Sequence, residues 1–274
     1  MADKAVREES SILSFLEVKQ YLCSTNLVEL EKIKVGIVNY LNTRPMLYGL
    51  TQGEIVERIE LIGDYPALVA SKLKEGTIDV GLIPVAATKG LSEFHIVGNY
   101  GIATNGEVAS VCLFSNVPLA QIKKIKLDYQ SRTSAALLQL LVRDYWKINV
   151  EFSHTSSEDF IDEIKGDTAA LIIGDRALIQ REKSQYVYDL GLAWKEYTGL
   201  PFVFAAWIST KPLPLDFIAL FDAANAKGLS HISEIVAEID FPQYDLNKYY
   251  TENVSYHLDA EKRKGMDLFL SSIS

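Results

Sequence analysis

Cysteine is nearly missing from this chain: Cys23 and Cys112 are the only two, far apart and in unlike contexts. They supply neither a disulfide framework nor a metal-type spacing, which suits a reducing cytoplasm. Histidine is almost as sparse. His95, His154, His231 and His257 are dispersed without ligand spacing, so no metal is expected. Basic charge is outweighed, with 27 Lys and Arg against 36 Asp and Glu and a net charge of −9. No Lys/Arg stripe interleaved with aromatics occurs, which argues against a nucleic-acid partner. No apolar run approaches the length of a membrane span. The N-terminal stretch MADKAVREESSILSFLEVKQYLCS is too charged and too interrupted for an export signal. A P-loop, a dinucleotide fingerprint and a nucleophile elbow are lacking as well. Any chemistry here is expected to manage without metal, nucleotide cofactor or classical triad.

What is there is an ordinary globular composition, 48% hydrophobic and 23% charged, over 274 residues. That length exceeds the usual single core, so two lobes are the default. Strand and helix patterns alternate from residue 33 onward, which points to α/β with largely parallel sheets. IKVGIVN (33–39) reads as a strand, followed by a short helix over 45–52, and IVERIELI (55–62) alternates like a second strand. Asp64-Tyr65-Pro66 opens a helix through Lys74, with Gly76 past its end. IDVGLIPV (78–85) has the continuous apolar character of a strand buried on both faces. HIVGNYGIAT (95–104) and GEVASVCLFS (106–115) read as strands joined by a hairpin-like turn at Asn105-Gly106. IKKIKLDYQ (122–130) is a further strand; VEFSHT, a helix capped by Ser156 or Ser157, and TAALIIGD complete a second βαβ-like unit. YVYDLGLAWKEYTGLPFVFAAWIS returns through two extended segments, and the rest is mostly helical, with Ser230 and Asp259 as N-caps.

The expected organisation is an N-terminal extension over 1–31 and a discontinuous lobe over 32–115 and 204–274. A second lobe, 116–203, is inserted into it. Two crossings between lobes make a hinge and a cleft, where small-ligand sites favour forming.

The most informative stretch is IKVGIVNYLNTRPMLYGL, in which a strand runs into a polar turn before Pro45. Asn42 and Thr43 would face the crevice outside the strand's carboxyl end; the bland alternative is an ordinary first βα turn. Ser131-Arg132-Thr133-Ser134 likewise follows a strand and opens a helix, AALLQLLVRDYW. Three hydroxyls with the unpaired N–H groups of a first helical turn make a carboxylate pocket, and Arg132 would add a bidentate contact. The competing reading is a plain cap with a solvated Arg; the position at the cleft edge favours anion binding. Asn105, Gly106 and Ser110 lie beside the crossing strand, and Gly174 and Asp175 follow another apolar strand. Asp175 and Asp189 read either as helix caps or as cleft residues. SYHLD (255–259) reads as packing for a C-terminal helix, anchored by Tyr256 and Leu258.

Taken in order, VNYLNTRPMLYGL, DYPALVASKLKEGTIDVGLIPVAA, GIATNGEVASVCLFS, LDYQSRTSAALL, IIGDRAL and DLGLAWKEYTGLPFVFAAW make the chain resemble the chorismate dehydratase family of the futalosine route to menaquinone. The resemblance covers roughly residues 33–270. It implies a periplasmic-binding-protein type II-like fold, two α/β lobes with a central cleft and a two-strand hinge, used as a cytoplasmic lyase without a cofactor. It also implies a small-molecule substrate, chorismate, and loss of water to give 3-[(1-carboxyvinyl)oxy]benzoate, with the substrate's own enolpyruvyl carboxylate as base. Asn42 and Ser110 match the family's catalytic Asn and Ser; Thr43, Asn105, Gly106, Ser131, Arg132, Thr133, Ser134, Gly174 and Asp175 are the expected substrate contacts. Thr104, Asn105 and Glu107 depart from the Ser, Asp and Pro common in the family, and Glu107 facing a dianion would repel it. Two other readings fit the scaffold: a cytoplasmic small-anion binding or sensor protein, and the related 1,4-dihydroxy-6-naphthoate synthase. The second lacks support, because the Ser-Pro-Cys-Pro-Asn-type first turn and the histidine of that family have no match here.

Overall fold

Strand β1 (Ile33–Ile37) runs parallel to neighbours on both sides, and its last three residues are buried. The computed structural model describes residues 31–128, 131–155 and 158–273, and its compact body begins at Ile33. The expected extension over 1–31 and the Ser156 or Ser157 cap therefore fall almost wholly outside the described residues.

After a single-turn 3-10 segment, Leu41–Thr43, helix α1 (Arg44–Leu50) starts with Pro45 in its first turn. Its fixed φ suits that position, and its missing N–H would have no partner there anyway. IVERIELI is not one strand. It splits into a turn of helix, α2 (Ile55–Arg58), and strand β2 (Ile59–Gly63). The spacing explains the error: Ile55 and Ile59 are four residues apart, so an alternating pattern also fits one helical face, and both are buried. Helix α3 (Pro66–Glu75) ends at Gly76, whose φ of +73° is left-handed, and strand β3 (Val80–Pro84) is buried at every position.

Strand β4 (His95–Thr104) follows, but β5 (Val111–Ser115) does not return beside it as a hairpin. All five residues of β5 are buried, so it needs cover on both edges and both faces. It finds this in a second sheet, antiparallel to two strands there. That sheet contains β6 (Lys124–Leu127), β7 (Glu151–His154), β8 (Thr168–Ile173) and β9 (Tyr186–Asp189). Helices α4 (Arg132–Leu140), α5 (Asp175–Gln180) and α6 (Leu190–Thr198) accompany it. The return therefore holds a helix, α6, between its two extended segments, capped by Asp189.

Strand β10 (Phe202–Ser209) rejoins the first sheet. Then come α7 (Leu215–Leu229), α8 (Ile232–Ala237), the short α9 (Leu246–Lys248), a π-helical turn Tyr249–Asn253, β11 (Ser255–His257) and α10 (Ala260–Ser272). Ser230 closes α7 instead of opening α8, while Asp259 does cap α10 through the Lys262 N–H. Within SYHLD, Ser255–His257 forms an edge strand, and Tyr256 and Leu258 are buried.

The sheet orders are β11-β4-β10-β3-β1-β2 and β7-β6-β8-β5-β9. Both are mixed, not largely parallel: β10 opposes β3 and β4, and β5 opposes β8 and β9. Sheet membership changes between Thr104 and Val111 and again between Asp189 and Phe202, so by this criterion the crossing precedes β5 and does not fall at 115. Helix α1, which carries the first turn, lies backbone to backbone on α7. A Cβ on Gly49 would fall 1.9 Å from the Ala224 carbonyl oxygen, and one on Gly228 1.8 Å from that of Pro45. Only glycine permits such an approach.

Candidate active site

A cavity with about 620 Å³ of free space, its open mouth included, lies where β1, β3, β6 and β8 end and the chain crosses between sheets. This is the crevice in which open α/β sheets bind ligands. Leu82, Pro84, Ile102, Ile173 and Phe204 give it apolar walls, and Asn42, Thr43, Ser110, Ser131, Thr133 and Ser134 supply polar ones. Tyr40 is the only titratable side chain among the described lining residues.

Three hydroxyls in this cavity, those of Ser110, Thr133 and Ser134, share one property. Ser110 Oγ accepts from the Tyr249 hydroxyl at 2.8 Å, and Thr133 Oγ1 accepts from the Ala86 N–H at 3.1 Å. Ser134 Oγ accepts from the Ser131 hydroxyl at 2.7 Å. Each is thus an acceptor toward the protein and retains its own proton to donate into the cavity. Ser131 is the N-cap of α4, accepting from the Ser134 N–H at 3.1 Å, so the positive end of that helix opens on the same space. Asn42 brings the complement: its Oδ1 is buried and has no hydrogen-bond partner, while its backbone oxygen accepts from the Tyr256 hydroxyl at 3.0 Å. A buried acceptor left without a partner costs free energy unless a ligand pairs it.

Ser110 is presented by a strained turn. Ala109 has a φ of +63°, and the Ser110 N–H closes back on the Val108 oxygen at 2.8 Å. For a residue with a Cβ this conformation costs about 1–2 kcal/mol. The Asp189 carboxylate holds it, accepting from the N–H groups of Val108 (3.0 Å), Ala109 (2.8 Å) and Leu192 (3.1 Å). Burial pushes the Asp189 carboxyl above its usual range even against those three donors. Beside it, Arg181 binds the Ala109 oxygen at 3.2 Å and pairs with Glu107. Glu107 is therefore committed to an arginine and does not line the cavity.

The expected site residues divide. Asn42, Thr43, Ser110, Ser131, Thr133, Ser134 and Gly174 line the cavity. Thr43 is the exception in kind: its hydroxyl donates to the turn's own carbonyls, Val38 at 2.5 Å and Tyr40 at 2.8 Å, so its proton is spent. Arg132 is exposed and absent from the lining, because the first residue of α4 points off the buried face. Asn105 is exposed too, accepting from Lys195 at 2.9 Å, and the Gly106 carbonyl accepts from the Thr104 hydroxyl at 3.1 Å. Asp175 accepts from the Leu41 N–H at 3.0 Å, tying α5 of one sheet layer to the first turn of the other; burial raises its pKa. Tyr249, Tyr256 and the turn-holding role of Asp189 were missed, and no local pattern near them could have revealed these contacts.

Residues 33–274 match a protein family described as "Menaquinone biosynthesis". Chorismate dehydratase from Thermus thermophilus is 26% identical over 263 residues, covering 87% of this chain and 94% of that protein. The Campylobacter jejuni chorismate dehydratase is 27% identical over 238 residues, 84% and 92% of the two chains. Among solved structures, a protein from Archaeoglobus fulgidus superposes with a TM-score of 0.69 at 15% identity, covering 88% of this chain and 96% of its own. A Candida albicans protein described as having the generic periplasmic binding protein fold gives a TM-score of 0.61 at 12% identity, covering 88% and 90%. The fold is thus the two-sheet periplasmic-binding-protein type anticipated from the sequence, and these distant likenesses carry nothing beyond it. Among the described residues no helix is long and apolar enough to cross a membrane. With the match running from β1 to the C-terminus, the chain belongs to the menaquinone biosynthesis family.

Proposed function

We propose that this protein is a chorismate dehydratase acting in the cytoplasm, converting chorismate to 3-[(1-carboxyvinyl)oxy]benzoate and water. The observation that carries the reading is the set of uncommitted hydroxyl protons on Ser110, Thr133 and Ser134, which share one cavity with the orphaned Asn42 Oδ1. Those donors suit a substrate with two carboxylates and a ring hydroxyl. The apolar walls suit its ring. In the reaction, the C–H bond at the ring carbon bearing the enolpyruvyl ether breaks, and the neighbouring C–O bond releases the hydroxyl. The proton joins that hydroxyl as water, and the ring becomes aromatic.

Among the described residues the lining holds no carboxylate, imidazole or amine to take the proton, which favours the substrate's own enolpyruvyl carboxylate as base. Ser110 donates to the departing oxygen, where charge develops as the C–O bond lengthens. Asn42 accepts from the same hydroxyl and orients it. One substrate carboxylate rests on the α4 N-terminus with the Thr133 and Ser134 hydroxyls. Holding the dianion as a reactive conformer supplies much of the rate by orientation alone.

The test is a cofactor-free incubation of the purified protein with chorismate, followed by mass spectrometry for loss of one water. Ser110→Ala should lower turnover roughly 100- to 1,000-fold, the usual loss for one such donor, and Asn42→Ala should do the same, both with the fold intact. Wild-type levels of turnover in both variants would refute the assignment. Tight binding of chorismate without conversion would instead identify a binding protein.

A further inference from the structure

The Ser110 hydroxyl has one polar partner among the described residues, and it comes from the far end of the chain. Tyr249 opens the π-helical turn Tyr249–Asn253, which the Val254 N–H closes on the Tyr249 oxygen at 2.9 Å. Such turns are rare and concentrate at functional sites. The Tyr249 ring is fully buried, packed between Tyr244 and Tyr250 with ring centroids 6.1 and 5.5 Å away. Its hydroxyl reaches Ser110 Oγ at 2.8 Å and no other acceptor among the described residues.

Two proton arrangements are available to this pair. If Ser110 donated to Tyr249, the phenolic proton would be buried with no acceptor, a cost of about 1–3 kcal/mol. If Tyr249 donates, its proton is satisfied, and the serine proton faces a cavity where a ligand oxygen can take it. The second arrangement is favoured. Tyr249 therefore does more than fill space: it decides which way the Ser110 proton points.

Resting on the dehydratase reading, we propose that Tyr249 is a positioning residue that holds Ser110 as an obligate hydrogen-bond donor toward the leaving hydroxyl of the substrate. Burial drives the phenol far above its ordinary pKa, so it remains protonated wherever the protein is folded. Tyr249 touches neither substrate nor cavity and acts only through the serine.

The experiment is a double-mutant cycle with Tyr249→Phe and Ser110→Ala, read as product accumulated from chorismate over long incubations so that slow variants remain measurable. Tyr249→Phe removes one oxygen and leaves the ring packing, and thermal melts of all variants check that the fold persists. The expected result is a roughly tenfold fall in kcat for Tyr249→Phe, larger than any change in KM, the worth of one hydrogen bond to a group at the reacting centre. In the Ser110→Ala background the same substitution should have no further effect, since there is no serine proton left to direct. A purely structural tyrosine would lower both backgrounds equally, and that result, or an unchanged kcat, overturns the proposal. A folded wild type without chorismate turnover would overturn the dehydratase reading and this inference together. Turnover with an additive cycle overturns this inference alone.

Discussion

Asp189→Ala removes the acceptor that three backbone N–H groups share, those of Val108, Ala109 and Leu192. All three donors would be left in a region from which water is largely excluded, since the carboxylate site is only 8% exposed. Each buried donor without a partner costs about 1–3 kcal/mol. Part of that loss is recovered, because Ala109, no longer held at a φ of +63°, returns about 1–2 kcal/mol of strain as it relaxes. Arg181 is not stranded, having Glu107 and the Ala109 oxygen as partners. The net loss expected is about 3–5 kcal/mol, in the range seen when a buried charged group is taken from its partners. Asp189→Asn keeps one acceptor oxygen but turns an NH₂ toward a backbone donor, so it should cost about 2 kcal/mol. Urea unfolding of the two variants and the wild type, with chorismate turnover measured in parallel, tests both values. Turnover should fall further than stability alone explains, because Ser110 follows directly on the released turn.

The pH dependence has a definite sign. Desolvation raises the Asp189 carboxyl above its ordinary range, and the N–H bonds offset this only in part. The folded protein therefore keeps this proton to higher pH than the unfolded chain does. This contribution to stability is complete below the unfolded carboxyl's pKa and is lost as pH rises through the raised folded value. Asp189→Asn does not ionise and should flatten that part of the curve. An Asp189→Ala loss below about 1 kcal/mol, or an Asn variant with the wild-type pH slope, would refute this account of the turn.

Two further outcomes follow from the geometry. Gly228→Ala would drive a Cβ to 1.8 Å from the Pro45 oxygen; forcing α1 and α7 apart should cost about 2–3 kcal/mol in urea unfolding, and a loss under half of that would mean the helices slide freely. Ser131→Ala removes the α4 cap and should cost about 1 kcal/mol and raise KM for chorismate, whereas Arg132→Ala, at an exposed position off the cavity, should leave KM unchanged. An Arg132 effect equal to that of Ser131 would return the guanidinium to the site.

Local physics is legible in the chain itself. IDVGLIPV announces a strand buried on both faces, and every residue of β3 is buried. Pro66 and Gly76 bracket α3, Ser131 caps α4 and Asp259 caps α10, each by rules that operate within a few residues. The turn at Asn42 and the serine-threonine helix opening are visible for the same reason: a strand end, a polar cluster and a helix start are adjacent in the chain. One of the errors is a local ambiguity too: the spacing of IVERIELI fits both periods.

Contacts between distant residues were decided elsewhere. GEVASVCLFS reads as a strand in any context, but whether it pairs with β4 or enters the second sheet depends on which surfaces need cover. Tyr249 meets Ser110 across 139 residues, and Asp189 meets Ala109 across 80. A hydroxyl or carboxylate satisfies any donor or acceptor the fold brings within reach, so its partner leaves no spacing signal. Local patterns in the chain marked most elements, several of their caps and the residue types at the cleft. Tertiary packing alone decided that the serine, threonine and asparagine share one cavity, and which way their protons point.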